Sequence, residues 1–510
     1  MAAILLFPEV GLRPLEFLVF RPLLLLNLVM RHRLLCKILP CLFLYVLAGC
    51  QLSPTSTQTS APQSTAKSLS ENLSAHNYRP RKAIPLVSLD RTGVPTEGQC
   101  AGLPRAAVEA QDRSIDCIGV IDSQLAFPRG VVGWNGDILV VDKKTSLHRR
   151  NLGRKAGRIR YVKTDAGYQR RLLVEGLDNP SSLSRGQHPA DKHLVYVSTP
   201  DAILRFAPDA DDVVGSRERV VVDLPLTGWH YLSAAYATDN YLYVTVPSAS
   251  DHCEEYLSPT LVIDARYPCP EVDPPSGANV SAERVTASIR RYEIDDKGQI
   301  SKDFVLVARG LRDALALVQV QGQGQGQVPG SDRLLAADNG WDDIDLAQTG
   351  LNPATVPHDE INLVAPGEHP THQTSRHYGW PYCYDDGILT PGYEKFTLAC
   401  NKYSDPLLLL PAHSAPLAML IHNKQLLVNL HGFEVGGRRT LAFELNEQGL
   451  PVGPGDVFID WNFNDQFGYL WGRPFGLSKL GPSELLVTDD WNHSLLLVVL
   501  RTKDQKAAPR

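Results

Sequence analysis

The chain has no apolar run of the roughly 20 residues that a membrane-spanning helix needs, and no long segment with apolar residues at helical spacing. The first lack argues against a helical membrane domain; the second argues against β-α-β units and a parallel sheet. Charge of one sign is also missing. Lys and Arg number 50 against 56 Asp and Glu, a net −6 over 510 residues, so nothing draws the surface towards nucleic acid. No Cys-x-x-Cys pair occurs, which removes zinc-ribbon and dithiol sites, and no Cys-x-x-Cys-His supplies a covalently held haem. Asp342, Asp343 and Asp345 lack the spacing of an EF-hand and read as a solvated acidic loop.

What is present begins with an export signal. Met30-Arg31-His32-Arg33 leads to an apolar stretch at 38–46 and then to Leu47-Ala48-Gly49-Cys50. A basic head, a short apolar centre and small residues before a cysteine resemble the signal of a bacterial lipoprotein, with Cys50 as the lipidated first residue of the mature chain. Residues 1–29 break their apolar runs with Glu9, Arg13, Glu16 and Arg21, so they are expected to be a mis-assigned upstream segment, with translation starting at Met30. Residues 30–49 are then the signal peptide, 50–80 a flexible Ser/Thr/Pro-rich tether, 81–500 the folded domain and 501–510 a polar tail. The expected location is a bacterial membrane, the outer one, with the domain facing the periplasm.

Six cysteines follow Cys50: Cys100 and Cys117, Cys253 and Cys269, Cys383 and Cys400. Three local bridges are the simplest pairing, and an oxidising compartment favours them over buried free thiols. Each would stabilise by about 3 kcal/mol through loop entropy.

A loose repeat runs through the domain: a turn with Pro, Arg or His, a short apolar strand, a polar hairpin, then a second apolar strand closed by a polar residue. First strands follow Pro128, Pro180, His230, Arg312, Pro416 and Arg473; second strands are predicted at 138–142, 194–198, 242–246, 334–338, 426–429 and 485–489. Each unit is a small antiparallel sheet that cannot bury both faces alone. Radial stacking solves this, so the expected fold is all-β, a six-bladed β-propeller with antiparallel blades around a central channel. A two-sheet sandwich is the runner-up. The Gln/Gly run at 321–327 is a loop insertion. Asp142, Asp338, His431 and Asp489 close second strands, either as strand-end punctuation or as the lining of a pocket.

Asp359-Glu360-Ile361-Asn362, followed by His377-Tyr378-Gly379-Trp380-Pro381, resembles paired blocks of the glucose/sorbosone dehydrogenase family, soluble six-bladed propellers that use pyrroloquinoline quinone (PQQ). His377 stands where that family usually has Asn. Weaker likenesses occur at Ala308-Arg309-Gly310-Leu311-Arg312, Ala336-Ala337-Asp338-Asn339-Gly340, His413-Ser414-Ala415-Pro416, Leu430-His431-Gly432 and Gly472-Arg473-Pro474, spanning roughly residues 115–500. The resemblance implies oxidation of an aldose to its lactone, with PQQ and Ca²⁺ as cofactors, a small sugar as substrate and a respiratory electron acceptor as partner.

It also implies roles. His230 is the candidate base that takes the sugar's hydroxyl proton. Arg312, Asp313, His431 and Arg473 are the candidate cofactor contacts, arginine being suited to planar carboxylates. The carbonyls of the turn at Gly340 and Trp341 are candidates for the cofactor's calcium; Asp359, Glu360 and Tyr378 are candidates for a second, structural one. Asp313 replaces the family's Asn and sets an anion near a quinone that gains negative charge, which opposes reduction unless a cation compensates. The rival readings are a non-catalytic propeller lipoprotein that binds a protein or glycan, and a Ca²⁺-dependent lactonase-like hydrolase. The lipoprotein reading has a direct check: Cys50→Ser releases the protein from membranes, and mass spectrometry of the unprocessed precursor finds no peptide from residues 2–29.

Overall fold

The computed structural model describes residues 96–501 apart from 107, 144–156, 164–167, 226–227, 229, 254–265, 274–281, 321–332, 343–349, 353, 366–374, 433–435 and 462–471. The expected upstream segment at 1–29, the expected signal peptide, Cys50, the expected tether, the Gln/Gly insertion and most of the expected polar tail lie outside the described residues. Among the described residues the helical elements are two 3₁₀ turns, and the remaining regular structure is β.

Six four-stranded antiparallel blades form a ring. Blade 1 is Pro128–Trp134, Asp137–Asp142, Gly157–Lys163 and Gln169–Leu177. Blade 2 is Leu183–Arg185, Val195–Thr199, Ala202–Phe206 and Glu218–Val222. Blade 3 is Ala235–Ala237, Tyr241–Val246, Ser288–Ile294 and Ile300–Arg309. Blade 4 is Ala314–Gln319, Leu334–Asp338, His358–Val364 and Leu408–Ala412. Blade 5 is Pro416–His422, Gln425–Leu430, Arg439–Leu445 and Pro451–Asp460. Blade 6 takes Pro474–Gly481, Glu484–Asp489 and Ser494–Leu500 from the end of the chain and its outer strand, Ile115–Asp122, from the front. That pairing closes the ring and removes the edges that an open array would expose. The six second strands predicted from the repeat are all found, to within one residue at either end.

Side-chain alternation explains why the blades need one another. Along Val195–Thr199 every residue is buried: Val195 and Val197 pack towards blade 1, while Tyr196 packs towards blade 3. Leu335 and Ala337 likewise face blade 5, and Leu334 and Ala336 face blade 3. A second strand therefore reads as continuously apolar because both of its faces are interior. The three expected bridges, Cys100–Cys117, Cys253–Cys269 and Cys383–Cys400, are all formed.

The polar residue that ends a second strand has a structural task in three blades. Asp142 accepts hydrogen bonds from the Ala126 and Phe127 amides (3.0 and 2.9 Å) and pairs with Arg158 at 3.2 Å. Asp338 accepts from the Arg312 and Asp313 amides (2.9 and 2.7 Å), and Asp489 from the Arg473 amide (3.0 Å) and from Asn492. In each case the carboxylate ties the end of the second strand to the turn leading into the first. These turns have no ladder partner, and the carboxylate satisfies their buried N–H groups. Asp142→Ala orphans two amides and a guanidinium and is expected to cost about 2–4 kcal/mol, measurable by denaturant unfolding.

Candidate active site

First strands begin where second strands finish, so the lead-in turns and strand ends gather at one end of the ring. Two groups of charged side chains meet there. The first centres on His230, half-buried on the segment leading into blade 3. Gly228, at φ +127°, lets this segment pass against the Ala249 backbone where a Cβ would collide. His230 Nδ1 lies 3.1 Å from Ser248 O and 2.9 Å from Ser248 Oγ. The Ser248 hydroxyl donates its own proton to Ser250 O at 2.7 Å, so both partners of Nδ1 are acceptors. Nδ1 therefore carries the ring proton and Nε2 carries the lone pair. Burial, then Arg312, lowers the imidazole below its ordinary 6.5, which keeps the ring neutral at pH 7.

A His230 ring nitrogen and carboxylate oxygens of Asp251 and Asp342 lie within 4.8 Å of one another. Arg312 is the cation that balances them: it pairs with Asp251, and with Asp342 at 3.0 Å. Its Nη1 also donates to Gly340 O at 2.6 Å and Asn339 O at 3.3 Å, so these two carbonyls converge on one positive group. Asp251 and Asp342 outweigh burial and raise Arg312 above its ordinary pKa, and Arg312 in turn holds Asp251 well below the usual carboxylate range. Asp313 accepts from Asn339 Nδ2 at 3.1 Å, and the same guanidinium feels its charge.

Asp251 owes its place to the Gly-Trp-Pro block. Trp380 Nε1 donates to Asp251 O at 3.0 Å, and Trp380 packs with Tyr382, Tyr393 and the Cys253–Cys269 and Cys383–Cys400 bridges. Tyr378 N and Trp380 N bond to Arg309 O and Gly310 O just before Arg312. Gly310, at φ +73°, leaves room for His377, which a Cβ there would strike.

The second group joins blades 5, 6 and 1. Asp490 Oδ2 accepts from His431 Nε2 at 2.9 Å and from Arg129 Nη1 at 3.0 Å; Arg473 donates through Nη2 to His431 Nδ1 at 2.8 Å and through Nε to His431 O at 3.0 Å. His431 is thereby fixed as the neutral Nε2–H tautomer, and burial takes its pKa down to about 4. Lys143, at 2% exposure, donates to the Tyr231 hydroxyl at 3.1 Å, and Tyr231 is the residue after His230.

Sequence reasoning named His230, Arg312, Asp313, His431, Arg473 and Gly340, and the structure places all of them at this end. Asp359, Glu360 and Tyr378 lie beneath the turn at Gly340. Asp359 accepts from the Gly340 and Ala415 amides and from Ser414 Oγ (2.7, 2.7 and 2.9 Å), and the Tyr378 hydroxyl donates to Leu363 O at 2.8 Å. Glu360 beside them borders a cavity of about 20 Å³ that is also lined by Asn339, Trp341 and His358. Burial, then Asp338, pushes Glu360 well above the usual carboxylate range. Arg129, Lys143, Ser248, Asp251 and Asp490 were not singled out. A signal existed: Lys143 and Asp490 each directly follow a strand-end aspartate.

No family profile and no curated protein matches the chain. Two solved structures superpose on most of it. The calcium structure of Trichoderma reesei Carbohydrate-Active Enzymes Family AA12 has a TM-score of 0.55 at 18% identity, covering 78% of this chain and 97% of that one. The holo form of the Pyranose Dehydrogenase PQQ domain from Coprinopsis cinerea has a TM-score of 0.55 at 17% identity, covering 78% and 99%. The chain shares their fold. On its own geometry, Arg312→Met leaves the neighbouring carboxylates unopposed and is expected to raise the His230 pKa, read from the imidazole Cε1–H resonance in an NMR titration; an unchanged value would contradict the charge balance described.

Proposed function

We propose that the protein is a membrane-tethered, periplasm-facing quinoprotein that oxidises an aldose or related sugar derivative to its lactone and passes the electrons to a respiratory acceptor. The observation that carries this reading is the tautomer of His230: a neutral imidazole with its Nε2 lone pair available, beside two carboxylates and an arginine at the end of a propeller. Both similar structures carry calcium or PQQ in their names, which supports the choice of cofactors.

The residues present fit these groups. Asn339 Oδ1 is buried without a partner, and it and the carbonyls of this turn are hard oxygens of the kind that suit Ca²⁺. Gly340 and Trp341 would hold the cofactor's calcium through their carbonyls; Arg312, Asp313, His431 and Arg473 would contact PQQ. At the second location Glu360 has the freest oxygens, with Asp359 and Tyr378 setting its walls, and an acid kept neutral by burial beside Asp338 is a place where a divalent cation supplies missing charge.

When bound, a Ca²⁺-polarised quinone supplies the hydride acceptor. His230 Nε2 takes the proton of the anomeric hydroxyl as C1 gives up its hydride and the C1–O bond becomes the lactone carbonyl. Ser248 holds the ring in register, so no tautomer change precedes proton transfer. Asp251 and Asp342 stabilise the imidazolium that forms, while Arg312 keeps them from protonating His230 beforehand. The base is active when neutral, so kcat/KM is expected to rise with pH, with a midpoint below 6.5, and then to level.

Incubation of the apo protein with PQQ and Ca²⁺ is expected to give a quinone absorbance that a sugar bleaches. His230→Ala keeps the absorbance and loses the bleaching by at least about 100-fold. A protein that takes up no PQQ at high cofactor concentration would overturn the assignment.

A further inference from the structure

Lys143 is the charged group that the reaction leaves unused. Its ammonium carries three N–H donors, it is 2% exposed, and its hydrogen-bond acceptor is the Tyr231 hydroxyl at 3.1 Å. A buried ammonium is costly to keep unless an anion or several acceptors surround it. The charged groups acting on Lys143 are Arg129, Asp490 and Asp178. Arg129 repels it, while Asp490 and Asp178 attract it; Asp490 Oδ2 is taken by Arg129 and His431, and Asp490 Oδ1 is buried without a partner. Burial, then Arg129, lowers Lys143 to about 7. Arg129 is itself buried, with Nε unpartnered, and its guanidinium is sandwiched between Phe127 and Phe475 at 4.3 Å from each ring. Two cations on blade 1 are therefore fixed in place with N–H donors to spare, beside a carboxylate with one oxygen unused, and Lys143 reaches Tyr231, the residue after His230.

We propose that Lys143 and Arg129 form a carboxylate-binding subsite on the blade 1 side of the channel. The carboxylate lies across Lys143 Nζ and the Arg129 guanidinium, taking the donors that Tyr231 and Asp490 leave over. It comes from one of two sources, an acid group of the quinone cofactor or the carboxylate of an acidic sugar such as a uronate. The site deepens the quinoprotein reading by naming what grips the ligand, and it rests on that reading only for the identity of the ligand.

The test titrates the mature protein, its Lys143→Met and Arg129→Met variants and the charge-preserving Lys143→Arg with three probes: PQQ, benzene-1,3,5-tricarboxylate, and glucuronate against glucose. Binding is followed by calorimetry, without turnover. The expected result is a loss of at least 30-fold in affinity for PQQ and the tricarboxylate in both Met variants, with Lys143→Arg within about 5-fold of wild type. Lys143→Met is also expected to melt higher than wild type without ligand, since it removes an ill-matched buried charge. A preference for glucuronate over glucose that disappears in Lys143→Met assigns the subsite to the substrate; PQQ dependence without that preference assigns it to the cofactor. Should PQQ bind no form while the tricarboxylate binds in a Lys143-dependent way, the quinone reading fails and the subsite stands. Equal affinity of wild type and Lys143→Met for all three probes overturns the subsite, whatever the fate of the quinone reading.

Discussion

The bond from a strand-end carboxylate to the turn leading into its own blade is the constraint on which the rest of the active end depends. Without Asp338 the amides of Arg312 and Asp313 would be buried and unpaired, and the turn that aims the Arg312 guanidinium would have no fixed shape. Asp142 and Asp489 do the same for the turns before Arg129 and at Arg473. The next residue in each case takes a partner of its own: Lys143 the Tyr231 hydroxyl, Asn339 the Asp313 carboxylate, and Asp490 both Arg129 and His431.

Charge balance then decides what the two groups can do. Around His230 the acids outnumber the bases, and burial, helped by Arg312, lowers the imidazole against the pull of Asp313, Asp251 and Asp342. Around Asp490 the cations Arg129, Arg473 and Lys143 are set against Asp490, Asp489 and Asp178 and a neutral His431.

The block that carries the family resemblance has a largely structural task. The Gly-Trp-Pro segment clasps Asp251 and the approach to Arg312, and Asp359 is bound up in backbone amides, so much of its polarity serves shape. Asp251 itself sits 21 residues past His230 between loops, in a stretch with no strand period to mark it. Its importance comes from a contact with Arg312, 61 positions away in the chain.

The sequence by itself determined the blade count, the second strands to within a residue and the disulfide pairing, and it pointed to six of the residues that gather at this end of the ring. All of these follow from local patterns: alternation, turn residues, short cysteine loops and recognisable blocks. Only the tertiary structure decided which partners each strand-end pair takes, that Arg312 balances two acids from different loops, and that Lys143 and Arg129 both lie within the influence of Asp490. Those outcomes depend on closing the ring, because charges spread over blades 1, 3, 4, 5 and 6 act on one another once the blades stand around a common axis.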